Sequence, residues 1–403
     1  MKFAVILGDG MADWPVDELG GKTPLDVAVH PAMDKLAQNG EFGLVKTVPD
    51  GMTPGSDTAN LSVFGYDPKR YYSGRSPLEA ASLGIPLTET DVTYRCNLVT
   101  LSAETDLSET TMIDYSAGEI STGEASELIQ FLDGRLGGEG VRLYHGFSYR
   151  HCLVLNHAET GAILTPPHDF SGKPVAGRLP AGTNSPLLMR WMRAAYELLK
   201  DHPVNRARVA AGKNPANAIW FWGEGRKPAL TTFFEKTGLK GAVISAVDLI
   251  QGIGRCAQME VVKVSGATGT YETNFAAKAA AAIDVLSRGA DFVYVHIEAA
   301  DECGHHGQLN EKIYSIEQID QKILKPIWDY LERCGEDYAI LVLPDHPTPM
   351  KIRTHTSDPV PFALYRKGNA AGRGIRYTEN DAKSTGIFIQ EGYRLIDRMK
   401  NGA

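Results

Sequence analysis

Five short runs of the chain, Phe3–Leu7, Ala218–Trp222, Ala242–Ile244, Phe292–Ile297 and Tyr338–Leu343, are continuously apolar rather than alternating. A strand with one wet face alternates, so these runs predict strands buried on both faces, as in a parallel sheet covered by helices. Helical patterns lie between them. Ser185–Lys200 sets Leu187, Leu188, Trp191, Met192, Ala195, Leu198 and Leu199 on one stripe, with Ser185 as N-cap and Pro186 at the first helical position. Asn274–Ser287 is rich in alanine and strongly helix-forming. Leu309–Cys334 carries isoleucines and leucines at helical spacing, with Pro326 predicting a kink. This alternation predicts an α/β fold: a mostly parallel sheet with helices on both faces and function at the C-terminal edge of its strands.

The middle of the chain breaks the pattern. The runs Thr93–Leu101, Val141–Tyr144 and His151–Leu155 are separated by polar, Gly-rich segments such as Gly134–Gly140. A Pro- and Gly-rich stretch, Pro166–Asn184, follows with no helical period. The expectation is a smaller inserted α+β domain over 88–182, splitting a main domain into 1–87 and 183–403.

Composition narrows the function classes. A net charge of -8 argues against a nucleic-acid surface, so an anionic substrate needs locally placed cations. Five scattered cysteines without a CxxC pair favour neither a disulfide framework nor a thiolate metal cluster, and fit a reducing cytoplasm. The first residues read as a buried strand rather than a signal peptide, and no apolar run is long enough to span a membrane.

The candidate chemistry sits at the ends of the expected strands. Asp9 follows the first strand between Gly8 and Gly10, where it is either a plain turn residue or an open carboxylate ligand. Asp301 and His305 follow Phe292–Ile297 and are four apart, so one helical turn puts both on one side and points His306 elsewhere. Asp345 and His346 follow Tyr338–Leu343, and His355 precedes Asp358-Pro359-Val360-Pro361-Phe362, an extended path into a last strand. Each alone reads as a turn or surface residue; together they are a carboxylate and imidazole set suited to manganese, zinc or iron, with magnesium on an oxygen-rich half. Ser56, in Thr53-Pro54-Gly55-Ser56-Asp57-Thr58-Ala59-Asn60, begins a helix, either as its N-cap or as a nucleophile at a phosphate-favouring helix N-terminus. No G-x-S-x-G elbow is present, which disfavours a hydrolase triad.

In this order, Asp9, Gly55-Ser56, Asp301-x-x-x-His305, Asp345-His346 and His355-Thr356-x-x-Pro359-Val360-Pro361-Phe362 resemble the alkaline phosphatase superfamily. Within it they resemble the 2,3-bisphosphoglycerate-independent phosphoglycerate mutases. The length, Gly74-Arg75-Ser76-Pro77-Leu78-Glu79-Ala80-Ala81 and Asn217-Ala218-Ile219-Trp220-Phe221-Trp222-Gly223 look like the shorter archaeal-type branch. The resemblance implies an alkaline-phosphatase-like sheet and two divalent metal ions, manganese first, with zinc, magnesium or cobalt as alternatives. It implies one ion on Asp301, His305 and His355, and one on Asp9, Asp345 and His346 with the Ser56 oxygen. The implied reaction interconverts 3-phosphoglycerate and 2-phosphoglycerate through phospho-Ser56, the insertion acting as a lid that keeps water out. The small anionic phosphorylated substrate then needs cations. Arg150, in Ser148-Tyr149-Arg150-His151, is the first candidate, against a surface salt bridge as its other reading; Arg75 and Lys240 are weaker ones. His151 is a candidate acid/base for the acceptor hydroxyl.

Two rivals stand beside this reading. The archaeal-type branch is similar to relatives proposed to act as homoserine kinases, for which ATP would be the donor at the same site; the chain has neither a P-loop nor a protein-kinase loop. A non-catalytic metal-stabilised module leaves the placement of Ser56 without a reason.

Overall fold

Four of the five apolar runs lie side by side in an eight-stranded sheet. Its order is Glu260–Val262, Gly241–Ile244, Phe292–Ile297, Lys2–Gly8, Tyr338–Leu343, Val360–Arg366, Glu41–Val45 and Phe388–Ile389. The computed structural model describes residues 1–369 and 374–402. Lys2–Gly8, Phe292–Ile297 and Tyr338–Leu343 are buried throughout, because each face meets a helical layer. On one face Ala4, Ile6, Val293, Val295, Ile340 and Val342 share a core with Leu36, Ala282 and Ile327. On the other, Tyr294 stacks on Phe64 with ring centroids 3.9 Å apart, and Phe292 packs on Phe233. Strand alternation sends successive residues to the two faces, and both are apolar.

The register decides where chemistry gathers. The first five strands in that order run parallel, with Gly8 opposite Ile297 and Leu7 opposite Leu343, so their C-terminal ends share one edge. Val360–Arg366 runs antiparallel and therefore begins at that edge. Glu41–Val45 runs against it in turn and ends there, Val45 opposite Val360. Asp9, Ser56, Asp301, Asp345, His346 and His355 all lie in the segments that leave or enter this one edge.

The described chain divides into two compact units: Met1–Tyr72 with the chain from Ala229 onward, and Ser73–Pro228. The second unit is wider than the expected 88–182 at both ends. Helix Ser76–Ser82 belongs to it because Glu79 takes an ion pair from Arg95 of strand Val92–Leu101. The run Ala218–Trp222, expected in the parallel sheet, extends to Arg226 and pairs antiparallel with Val92–Leu101. Apolar content makes a strand but does not choose its partner. The Pro/Gly-rich stretch Pro166–Asn184 is interior to the unit, with Phe170 and Val175 buried in its core. That core lies between the sheet and helices Thr122–Leu136 and Ser185–Leu199.

Two helix details differ from expectation for local reasons. Ser185 is the first helical residue rather than the cap; Asn184, at φ 61°, precedes it, and Ser185 Oγ donates to the Gly182 carbonyl. The Leu309–Cys334 stretch is not one kinked helix. It runs as Leu309–Gln318, a π-helical turn Ile319–Leu324, and Lys325–Arg333. Pro326 has no N–H to give an α-helical bond to the preceding turn, and the wider turn absorbs the loss.

Candidate active site

Asp9 leaves the end of strand Lys2–Gly8 and is buried. Gly10 then turns at φ 63° and donates its N–H to Asp345 Oδ1 at 3.2 Å. A Cβ on Gly10 would lie 2.6 Å from the Asp301 Cα and 2.7 Å from Thr348 Oγ1. Two loops therefore approach at the only residue type that allows both the dihedral and the distance.

Asp345 and His346 follow strand Tyr338–Leu343 and are fully buried. Asp345 is held on every side: Oδ1 also accepts the His346 N–H at 2.9 Å, Oδ2 accepts from Asn60 Nδ2 at 2.9 Å, and its carbonyl accepts from Thr47 Oγ1. Helix Ala299–His306 turns Asp301 and His305 toward each other, with Oδ2 and Nε2 3.3 Å apart. His306 is exposed and bonds the Glu302 carbonyl instead, as the helical spacing requires. His355 Nε2 lies 3.4 Å from Asp301 Oδ1 and 2.9 Å from His305 Nε2.

These residues form two groupings whose ligand atoms lie within 4.8 Å of one another: Asp9, Asp345 and His346, and Asp301, His346 and His355. His346 belongs to both, whereas the sequence reading gave the second half to His305. His305 stands beside that half, its Nδ1 against the Arg353 carbonyl at 2.9 Å and its Nε2 turned to Asp301 and His355. Ser56 is the first residue of helix Ser56–Val63 and makes no side-chain cap. Gly55 is the N-cap, and Ser56 Oγ instead lies 3.2 Å from His346 Nε2 and 3.4 Å from Asp9 Oδ2.

The electrostatics ask for positive charge. Burial, then Asp345 and Asp301, push the Asp9 carboxyl well above its usual range. Burial works the same way on Asp301, but its bonds to His305 and His355 outweigh it and hold the carboxyl well below. Burial lowers His346, and burial opposes yet Asp301 prevails at His305, raised to about 9. Asp9 Oδ1 is buried with no hydrogen-bond partner. An orphaned carboxylate oxygen among carboxylates and imidazoles fits a hard divalent cation, which would satisfy the oxygen and offset the repulsion.

The remaining sequence candidates fall elsewhere. Lys240 is exposed and precedes strand Gly241–Ile244, so it sits at the N-terminal edge of the sheet, the edge opposite Asp9. Arg75, Arg150 and His151 belong to the second unit. There Arg75 and Arg95 grip the two oxygens of Glu79 at 3.0 Å and 2.9 Å, Arg95 lies 4.0 Å over the Trp222 ring, and exposed Arg150 lies over Tyr149. His151 is on the other face of its strand. It shares parity with Leu153 and Leu155 of the unit's core, is buried, and burial lowers it to about 3. The neutral ring accepts the Gly146 N–H on Nδ1 at 3.1 Å, and its Nε2 is buried without a hydrogen-bond partner.

Sequence reasoning missed three supports. Asn60, one helical turn after Ser56, bonds both the Ser56 carbonyl and Asp345, and takes the Tyr294 hydroxyl at 2.6 Å. Thr348 donates to Asp301 Oδ1. His296 bonds Asp9 Oδ2 at 3.0 Å and is lowered by burial to about 3. A histidine inside an otherwise apolar, doubly buried strand was the available signal, since such a group needs a partner.

The chain as a whole is similar to known proteins. A sequence profile for 2,3-bisphosphoglycerate-independent phosphoglycerate mutase matches residues 37–205. A protein of that name from Methanothrix thermoacetophila is 50% identical over 396 residues, covering 98% of this chain and 98% of its own. A solved protein from Pyrococcus horikoshii is 31% identical with a TM-score of 0.81, covering 99% of this chain and 96% of its own. The cofactor-independent phosphoglycerate mutase of Thermoplasma acidophilum is 28% identical with a TM-score of 0.68, covering 99% of both.

Proposed function

We infer the reaction and its residues from one premise: this chain belongs to the 2,3-bisphosphoglycerate-independent phosphoglycerate mutase family. It is an isomerase that interconverts 3-phosphoglycerate and 2-phosphoglycerate. The observation that carries the residue assignment is the convergence of Ser56 Oγ on Asp9 and His346, at the start of a helix whose capping it does not serve.

In our reading two divalent cations, manganese the first choice, would be held by Asp9, Asp345 and His346 with Ser56, and by Asp301, His305 and His355, with His346 in both groupings of ligand atoms. Bound there, they would supply the charge that lowers the pKa of the serine hydroxyl and offsets the charge on the phosphoryl oxygens. The side chains do the rest. Ser56 Oγ gives up its proton and attacks the phosphorus of 3-phosphoglycerate; the bond from phosphorus to the C3 oxygen breaks as the serine–phosphorus bond forms, and the C3 oxygen takes up a proton to leave glycerate. The glycerate stays, turns, and returns its C2 hydroxyl to the phosphorus, which frees Ser56 and gives 2-phosphoglycerate. The N-terminal amides of helix Ser56–Val63 favour the phosphoryl group throughout. Asn60 ties the Ser56 carbonyl to Asp345, and Thr348 and the Arg353 carbonyl orient Asp301 and His305.

For the substrate carboxylate we keep Arg75 and Arg150 as candidates, because a planar guanidinium suits bidentate recognition. Water must be kept from phospho-Ser56, which would otherwise hydrolyse. All five cysteines are free thiols and no described helix is long and apolar enough to cross a membrane; we place the enzyme in the cytoplasm.

The test is direct. With Mn²⁺ and no bisphosphoglycerate, 3-phosphoglycerate should become 2-phosphoglycerate. No conversion, together with phosphorylation of homoserine from ATP, would overturn the mutase reading for the kinase.

A further inference from the structure

Three adjacent parallel strands, Gly241–Ile244, Phe292–Ile297 and Lys2–Gly8, end at the same edge. They bring Ser245, His296 and Asp9 into one line. Ser245 Oγ lies 3.2 Å from His296 Nδ1, and His296 Nε2 lies 3.0 Å from Asp9 Oδ2. All three side chains are buried.

With Asp9 ionised, as a cation ligand must be, and the His296 ring neutral, the donors and acceptors along this line admit one arrangement. An ionised carboxylate only accepts, so His296 Nε2 carries the hydrogen toward Asp9. A neutral ring with Nε2–H has a bare Nδ1, which needs a donor. Ser245 is kept available for that: its Oγ already accepts the Val247 N–H at 3.0 Å, and its hydroxyl hydrogen is left for Nδ1. The backbone of His296 is anchored too, its carbonyl accepting from the buried Lys278 Nζ at 3.3 Å.

The consequence falls on Asp9. With Oδ2 held by His296, the carboxylate cannot rotate freely, and its second oxygen is the one left buried without a partner. That oxygen faces the side of the site where His346 Nε2 lies, 3.7 Å away. We propose that Ser245 and His296 are positioning residues for the Asp9 half of the centre: they fix the imidazole in its Nε2–H tautomer and so present Asp9 Oδ1 to the cation. The proposal rests on the reading of Asp9 as a metal ligand. Neither residue touches the substrate; they act through Asp9.

The experiment separates the two claims. Metal-free protein is titrated with Mn²⁺ by calorimetry, for the wild type, Asp9→Asn, His296→Leu, His296→Gln and Ser245→Ala. Wild type should take two equivalents and Asp9→Asn one; two in Asp9→Asn would sink the metal reading itself. With that established, His296→Leu should weaken one equivalent about 10- to 100-fold and leave the other unchanged. His296→Gln, which keeps a donor, should recover most of that loss. Wild-type uptake by His296→Leu would overturn the positioning proposal alone. If the leucine variant does not fold, Ser245→Ala and nitrogen NMR decide. The wild-type His296 ring should show Nε2 protonated and Nδ1 bare, and Ser245→Ala should disturb that state and weaken the same equivalent. A protonated Nδ1 in the wild type, or unchanged affinity in Ser245→Ala, would refute it.

Discussion

Ser56 Oγ lies 3.2 Å from Nε2 of His346, although the two residues are 290 positions apart in the chain. A serine that opens a helix ordinarily spends its oxygen on the helix amides. Here Gly55 takes the cap position and the oxygen is turned toward the buried Asp9 carboxylate and the His346 imidazole.

Ser56→Ala should therefore leave folding and metal uptake near wild type and lower kcat by at least about 10³-fold. The check pairs a mutase assay with mass spectrometry of the peptide containing residue 56. Substrate should leave a trapped phosphoryl group on the wild type and none on the variant. Turnover within a few-fold of wild type would remove Ser56 from the mechanism.

Stripping the cations should cost stability as well as activity. Asp9, Asp301 and Asp345 are buried together, and Asp9 is already pushed well up by burial and by its neighbours. Chelated protein should lose turnover and melt at a lower temperature. Mn²⁺ at 100 times its dissociation constant should restore about 2.7 kcal/mol per site. A melting temperature indifferent to Mn²⁺ would contradict the cation reading of this cluster. The same linkage predicts weaker Mn²⁺ binding in acid, because the imidazoles must be neutral to coordinate.

How much of this was legible beforehand depended on the kind of information. Lys2–Gly8, Phe292–Ile297 and Tyr338–Leu343 announce themselves as doubly buried apolar runs, and parallel strands force Asp9 and Asp345 to a common edge. Pairing partners were not legible: Ala218–Arg226 has the same apolar character but lies against Val92–Leu101. Parity was not legible either. Arg150 and His151 are adjacent, and only the observed sheet shows that one faces outward while the other packs with Leu153. Lys240 failed for direction, since nothing local says which end of a strand a loop adjoins. Helix Thr122–Leu136 is legible in the Ser121 and Glu124 capping box and in Ala125, Leu128, Ile129 and Leu132, although the glycines that follow it carry a loop signal.

Two glycines with nearly equal backbone angles should respond very differently to alanine. Gly10 and Gly20 have φ of 63° and 65°. A methyl at Gly20 meets nothing within 4 Å, whereas at Gly10 it would strike Asp301 and Thr348. Gly20→Ala should cost only the left-handed penalty, about 1–2 kcal/mol. Gly10→Ala adds overpacking between two site loops, for about 3–5 kcal/mol in all, with loss of Mn²⁺ uptake. Urea unfolding of both variants checks the difference; equal costs would mean that the loop contact at Gly10 yields without strain.

Glu379 gives a prediction with a sign. Its Oε2 accepts from Thr23 Oγ1 at 2.7 Å and its Oε1 accepts the Asp13 N–H at 3.1 Å. Burial pushes the carboxyl from the ordinary 4.5 up to about 7. Between those two values the folded protein holds a proton that the unfolded chain has released, so stability falls as pH rises through that window and the penalty persists above it. Glu379→Gln imitates the protonated form and removes the penalty. The side chain is only partly shielded from solvent, which trims the gain to about 1–2 kcal/mol. Denaturant unfolding at pH 8 should show the glutamine variant more stable than wild type by that amount, and at pH 4, where the native carboxyl is itself protonated, the difference should vanish. An equal difference at both pH values would mean that Glu379 is ionised in the fold, and that its burial is offset by charge from Lys312, which pairs with the neighbouring Asp13 at 2.6 Å.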